Sequence, residues 1–176
     1  MDIKDRDRRM AERLTKSDIE KIKEEILHRK LVVRKKAIEA VKVARAHGDL
    51  SENFEYYAAK KDKNANESRI SYLERMLKFA IVVDDLSEDD EVGVNNTVEV
   101  LFVEDNSTAT YRLVTSIRED SLAGLISIES PLGKALIGRR AGEKVHVKVR
   151  DDFGYDVVIN KIEKTNDESG DKISSF

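Results

Sequence analysis

Two carboxylates three positions apart, Asp49 and Glu52, stand in the run Gly48-Asp49-Leu50-Ser51-Glu52-Asn53. Helix-forming sequence flanks this run on both sides. Gly48 is placed to end the first helix in a left-handed conformation, and the two acids then face outward at the turn. Residues of this type and spacing suit magnesium-dependent phosphodiester chemistry. Mg²⁺ keeps several waters and takes only one or two protein carboxylates. In two-metal cleavage one metal activates water and the other supports the leaving oxygen. Two acids make no tight site alone, but they can complete one that another molecule supplies. The same spacing has a plain structural reading: Asp49 caps the second helix, the acid at 52 answers back, and negative charge favours a helix N-terminus. Local sequence leaves both open, and a capping carboxylate can still present an oxygen.

The neighbours add positive charge and aromatic rings. Lys42 and Arg45 share a helix face near the turn, as i and i+3, where a phosphate chain would pass. Tyr56 and Tyr57 follow the acids by one turn. One of them can stack on a base, since such stacking is worth about 1–3 kcal/mol, or can pack between helices. His47 reads as a helix-end residue, and His28 and His146 are isolated, without metal-ligand spacing. From Arg29 to Arg45 there are seven Lys/Arg against the single acid Glu39, whereas Asp84 to Asp105 holds nine acids and no base. The net charge is only −3, so the chain should not coat nucleic acid non-specifically. It carries one local positive zone instead.

Positioning these groups requires long elements. From Thr15 to about His47, Ile19, Ile22, Ile26, Val33, Ala37, Val41 and Ala44 recur at helical steps. Thr15 and Asp18 resemble a capping box at its start. A second helix is predicted from about Glu52 to Ala80, with Ala59, Asn66, Ile70, Leu73, Leu77 and Ala80 inward. The short joining turn makes the two antiparallel neighbours. At 1.5 Å per residue the first spans roughly 48 Å. Small inner residues toward the turn permit a slender tip.

After Ala80 the period changes. Residues 83–91 form an acidic linker, and 92–164 alternate as β sequence, with strands predicted near 96–104, 109–117, 123–129, 143–150 and 155–163. One short helix interrupts them, with Ser130 as cap, Pro131 first and Gly138 as stop. Asp151-Asp152-Phe153-Gly154 reads as the turn between the last two strands. Residues 1–14 read as a mobile or frayed helical extension, and 165–176 as a disordered polar tail. The absence of cysteine excludes disulfides and Cys-based zinc sites. No apolar window reaches the roughly 18 residues of a membrane span, and no signal region follows the charged N-terminus. The expectation is a cytoplasmic protein with no membrane partner. Ser/His/Asp order and Gly-rich phosphate loops are absent.

The run Ala44-Arg45-Ala46-His47-Gly48-Asp49-Leu50-Ser51-Glu52-Asn53, then Glu55-Tyr56 and Ala58-Ala59-Lys60, resembles the tip of the bacterial transcript cleavage factors of the GreA/GreB family. Ser130-Pro131-Leu132-Gly133-Lys134-Ala135-Leu136-Ile137-Gly138, followed by Gly142-Glu143-Lys144-Val145, resembles their second signature. The resemblance covers about residues 15–164 and is closer to the GreA branch. It implies an α+β fold: an N-terminal antiparallel coiled-coil hairpin over 15–82, with its acidic tip at 48–53, and a C-terminal FKBP-like antiparallel β-sheet domain with one short helix. It also implies a mechanism. The C-terminal domain docks at the rim of the RNA polymerase secondary channel, and the coiled coil reaches the active centre. There Asp49 and Glu52 help hold a magnesium ion shared with the polymerase, which then cuts its own backtracked RNA. Ser51 and Asn53 support the tip, while Arg45, Lys42 and Tyr56 lie where RNA passes. On this reading the chain is no enzyme by itself and binds no cofactor alone. Its partners are polymerase and the 3′ end of backtracked RNA, and it is a monomer.

The extension 1–14, the tail 165–176 and Phe54, where the family commonly has a small residue, depart from the pattern. Two alternatives remain. One is a secondary-channel inhibitor of related fold, against which the intact Gly-Asp-Leu-Ser-Glu-Asn run argues. The other is an FKBP-like isomerase or chaperone. Such a pocket is rich in aromatics, while residues 92–164 offer Phe102, Tyr111, Phe153 and Tyr155.

Overall fold

The computed structural model describes residues 11–46, 54–165 and 170–174. The chain divides into two compact units, Met1–Glu12 with Ile19–Ala80, and Arg13–Asp18 with Ile81–Phe176. The first is helical and the second is mainly β.

The first helix begins as α1, Lys16–His28, passes through a π-helical turn at Arg29–Val33, and continues as α2, Arg34–Ala46. Its start is a reciprocal capping box. The Thr15 amide donates to Asp18 Oδ2 at 2.8 Å and the Asp18 amide donates to Thr15 Oγ1 at 3.2 Å. These first residues, through Asp18, belong to the β unit. The π turn, in which the Arg34 amide reaches back to the Arg29 carbonyl, is not legible in side-chain spacing. A wide turn changes backbone partners while the apolar stripe reads on. The expected end at Gly48 lies outside the described residues.

The partner helix α3 spans Phe54–Lys78. The helices run antiparallel: Ala40, Val43 and Ala44 line a groove of about 530 Å³ with Glu55 and Ala59, while Glu25, far up α1, reaches Arg69. Ile22, Ile26 and Ala44 are buried on one side, and Asn66, Ile70, Leu73 and Met76 on the other. All but Met76 belong to the stripes that the periodicity selects. Toward the connection alanines replace the larger residues, which opens the groove and leaves the hairpin slender.

Two helices bury little, so polar contacts between them matter. Arg34 holds Glu67 bidentately, with Nε–Oε1 at 2.7 Å and Nη2–Oε2 at 2.6 Å. Glu25 accepts from Arg29 Nε at 2.7 Å and from Arg69 Nε at 3.1 Å. Burial pushes the Glu25 carboxyl up, but its hydrogen bonds to Arg69 and Arg29 and their charges outweigh this and hold it below the ordinary range.

In the β unit, β1 (Arg13–Leu14) pairs in parallel with β2 (Ile81–Val82). The main sheet contains β3 (Thr97–Phe102), β4 (Thr108–Val114), β5 (Leu125–Ser127), β6 (Lys144–Arg150) and β7 (Phe153–Glu163), in the order β5-β4-β3-β7-β6. It is antiparallel except at the edge, where β5 pairs in parallel with β4. The helix α4, Pro131–Leu136, follows β5. Alternation places Val98 and Val100 of β3, Val145 and Val147 of β6, and Val157 and Ile159 of β7 in one core with Val92, Leu113 and Leu136.

The structure corrects three expectations. The strand predicted to run to 117 stops at Val114, and two 3₁₀ turns, Ser116–Arg118 and Ser121–Ala123, carry the chain to a shorter β5 than 123–129. The extension does not include Arg13 and Leu14, because they are paired and Leu14 is buried. The tail is not uniformly free: Asp171 is ion-paired to Arg112 and Arg118. The last two misses arise from pairing with distant sequence, which local pattern does not report.

Two predictions follow from the hairpin. Leu73 is fully buried, so Leu73→Ala should destabilise the helical unit by about 2–5 kcal/mol, read as earlier loss of helical dichroism on heating. Glu25, with its folded pKa depressed, stabilises above the ordinary glutamate value of about 4.3, and that contribution is lost as pH falls through the folded value. Glu25→Gln should therefore lower hairpin stability at pH 7 and flatten its fall below about pH 4.5. Parallel acid-side slopes in parent and variant would refute this.

Candidate functional site

The described ends of α2 and α3 nearest the connection bring together a small group of cations and rings. Arg45 lies in the last turn of α2, and its guanidinium sits 5.9 Å from the centroid of the Tyr56 ring. Lys60, one turn along α3, places Nζ at 5.9 Å from the same ring. The negative face of a tyrosine ring attracts cations at this range. Tyr56 thus holds two positive groups near the hairpin end. Tyr57 meets Tyr56 edge-on at 5.7 Å and is 54% exposed.

The site residues read from sequence fare differently. Arg45 and Tyr56 are brought into contact. Lys42 shares their end of the hairpin but pairs with Glu39, Nζ–Oε2 at 3.5 Å, and both side chains are exposed, so the pair is weak. Asp49, Ser51, Glu52 and Asn53, together with His47, lie outside the described residues. Lys60 belongs to the tip run quoted from the sequence but carries no assigned role there; its position four residues after Tyr56, on the same helix face, is the signal that finds it. Tyr56, engaged by cations, is half-buried, and Tyr57 is the more open ring for stacking. Phe54 opens α3 with its side chain 88% exposed. A guanidinium and an ammonium held beside an exposed ring can bind a phosphate chain and its bases.

The second signature is built into the β unit's scaffold. Ser130 Oγ accepts from the Gly133 amide at 3.0 Å and donates to the Ser127 carbonyl at 2.7 Å. Pro131 is the first residue of α4, as its fixed φ favours. Gly133 is buried against β5, and a Cβ there would lie 2.1 Å from the Ser127 carbonyl oxygen, so no other residue fits. Gly138, with φ of +76°, closes the segment and its amide donates to the Val92 carbonyl at 2.9 Å.

Three of the four aromatics weighed for an isomerase pocket do converge. Phe102 and Tyr155 pack at 5.7 Å between centroids, and with Phe153 they line a cavity of about 230 Å³. Glu104, Asp105 and Asp156 share its walls. Asp156 is tied up by Lys144 at 2.8 Å and His146 at 2.7 Å. Tyr111 does not line this cavity, and packs against the core as Phe102 and Tyr155 also do. Among the described residues no group of three His, Cys, Asp or Glu side chains is placed to hold a metal ion, and no helix is long and apolar enough to cross a membrane.

Comparison with known proteins covers both units. The family described as "Transcription elongation factor, N-terminal" matches residues 12–82, and "Transcription elongation factor, GreA/GreB, C-term" matches residues 87–164. The chain is 42% identical over 160 residues to transcription elongation factor GreA of Streptococcus gordonii, covering 89% of this chain and 99% of that protein. It is 41% identical over 160 residues to its counterpart in Streptococcus sanguinis, with the same coverage. Among solved structures, GreA factor homolog 1 of Thermus thermophilus aligns with a TM-score of 0.40 at 22% identity, over 88% of this chain and 99% of that one. With both units matched and relatives near 40% identity along most of its length, this chain belongs to the GreA/GreB family of transcription elongation factors.

Proposed function

We propose that this chain enters the secondary channel of bacterial RNA polymerase and stimulates the polymerase's own magnesium-dependent cleavage of backtracked RNA, releasing arrested complexes. Family membership supports the polymerase as partner and transcription elongation as the process. The observation that carries the finer reading is the run Gly48-Asp49-Leu50-Ser51-Glu52-Asn53 in the connection between α2 and α3, flanked by the Arg45–Tyr56–Lys60 cluster. A place of work inside the polymerase makes the protein cytoplasmic.

Asp49 and Glu52 supply two carboxylates, a donor set that fits magnesium's preference for few protein ligands and several waters. The ion, when bound between these acids and the polymerase, would supply the charge that activates water and supports the leaving oxygen. Ser51 and Asn53 provide polar groups beside the acids. Arg45 and Lys60 hold positive charge where displaced RNA passes, and Lys42 extends it up α2. Tyr57 or Tyr56 offers a ring for an unpaired base. The β unit serves as the docking module at the channel rim, and the chain acts as a monomer. In this arrangement the chain contributes ligands and positioning, while the polymerase contributes the rest of the active centre.

The direct test adds the protein to backtracked polymerase complexes and follows shortening of the RNA 3′ end. Asp49→Ala and Glu52→Ala should each abolish stimulated cleavage while leaving polymerase binding nearly intact; a lost helix cap would cost only about 1 kcal/mol. Normal cleavage by both variants would reduce the acids to caps.

The basic cluster is tested by charge reversal. Arg45→Glu should lower cleavage at least tenfold with little loss of docking, because repulsion of phosphate acts at close range where salt screens poorly. Lys23→Glu, on the same continuous helix about 33 Å away at 1.5 Å per residue, is the control. Equal loss from both, with docking unchanged, would remove the local role of Arg45.

A further inference from the structure

The largest fully buried side chain of the described residues is a cation, Arg118. Its Nε lies 2.7 Å from Asp18 Oδ1 and donates to Thr115 Oγ1 at 3.3 Å. Nη2 donates to Asn95 Oδ1 at 2.7 Å, and Nη1 donates to Asp171 Oδ2 at 2.7 Å. The other oxygen of Asp171 accepts from Arg112 Nη1 at 2.9 Å, and Arg112 Nε donates to the Asn95 carbonyl at 3.2 Å. One carboxylate of the tail is thus shared between two arginines, one oxygen each. The Ser174 amide adds a backbone bond to the Ile117 carbonyl at 2.7 Å. Asp171 and Ser174 lie beyond residue 164, where the family match ends.

Charge balance gives the arrangement its meaning. Arg112 and Arg118 bring two positive charges into a largely dry place, with side chains 15% and 0% exposed. Asp18 neutralises one. Asp171, 9% exposed, neutralises the other. A buried arginine fork that loses a carboxylate partner is strongly destabilised, because desolvation of the cation is no longer offset. Two guanidinium groups converging on one point form a donor set suited to an oxyanion, and the group seated there is the carboxylate of Asp171.

We propose that Arg112 and Arg118 form a carboxylate-binding site on the β unit, and that the chain's own C-terminal segment 170–174 is its ligand, a strap that seats Asp171. This site lies entirely within the β unit and stands independently of the proposed role in RNA cleavage. With the strap seated, Arg118 is held against Asp18, the residue that also caps α1. With the strap lifted, both guanidinium groups lose the Asp171 carboxylate and are open to a carboxylate presented in trans.

The test uses the full chain, an Asp171→Asn variant, and a variant lacking residues 170–176. In the parent, amide relaxation should show Gly170 to Ser174 as ordered as β4. In Asp171→Asn that order should be lost, and both variants should melt at least about 5 °C lower in the β unit. The shortened protein, titrated with the heptapeptide Gly-Asp-Lys-Ile-Ser-Ser-Phe, should show saturable amide shifts at Asn95 and Ile117. The peptide with Asn in place of Asp should bind at least tenfold more weakly. Should a variant fail to fold, the relaxation measurement on the parent decides. Free-tail dynamics there, unchanged melting in the variants, absence of shifts at millimolar peptide, or equal binding of the Asn peptide would each overturn the proposal.

Discussion

A buried guanidinium imposes the strictest condition on this molecule. Arg118 has no access to water, and its hydrogen-bonding fork must be met by protein groups in fixed places. Asn95 before β3, Thr115 after β4 and Asp171 in the tail accept its hydrogen bonds, and Asp18 at the start of α1 stands against Nε as an ion pair. Asp18 is itself fully buried and accepts from the Thr15 amide and from Thr115 Oγ1, the latter at 2.7 Å. Helix cap and ion pair therefore share one carboxylate. Moving Asp18 or Asp171 leaves a charge unpaired in a low dielectric, which is far more costly than losing an exposed pair. This is why the segment Arg13–Asp18 groups with the β unit although most of the helix it begins does not.

The helical unit solves a different problem. Among the described residues the two helices have no third element to close their core, and isolated helices are marginal in water. Its apolar contacts are concentrated in Ile22, Ile26, Ile70, Leu73 and Met76, well away from the connection. Charged pairs such as Arg34–Glu67 and the Glu25–Arg29–Arg69 group continue the register where large apolar residues run out. Beyond them, alanines and the Arg45–Tyr56–Lys60 contact carry the helices to their ends. The large rings at that end, Phe54 and Tyr57, are exposed.

The two signature motifs play opposite physical parts. The one at residues 130–138 is explained by the fold itself: a serine cap, a proline at the first helical position, and a glycine where β5 leaves no room for a Cβ. The one at 48–53 lies outside the described residues. The role of its carboxylates belongs to the proposed function.

The sequence by itself determined the two long helices, most of the main-sheet strands, the short helix, their order and the family. The helical stripes, the period change after Ala80, the cap at Thr15 with Asp18, and the helix behind Ser130 all depend on neighbours within a few residues, so local pattern reports them. The pairing of Arg45 near Tyr56 was legible only as proximity to the same turn, and Lys60 joined them through a helical step that periodicity does supply. The tertiary structure alone decided the parallel edge strand β5, the pairing of Arg13–Leu14 with Ile81–Val82, and the seating of Asp171 on Arg118, 53 residues away in sequence. Such contacts carry no short-range signature, because a polar residue reads as exposed until a distant partner of opposite charge makes its burial tolerable.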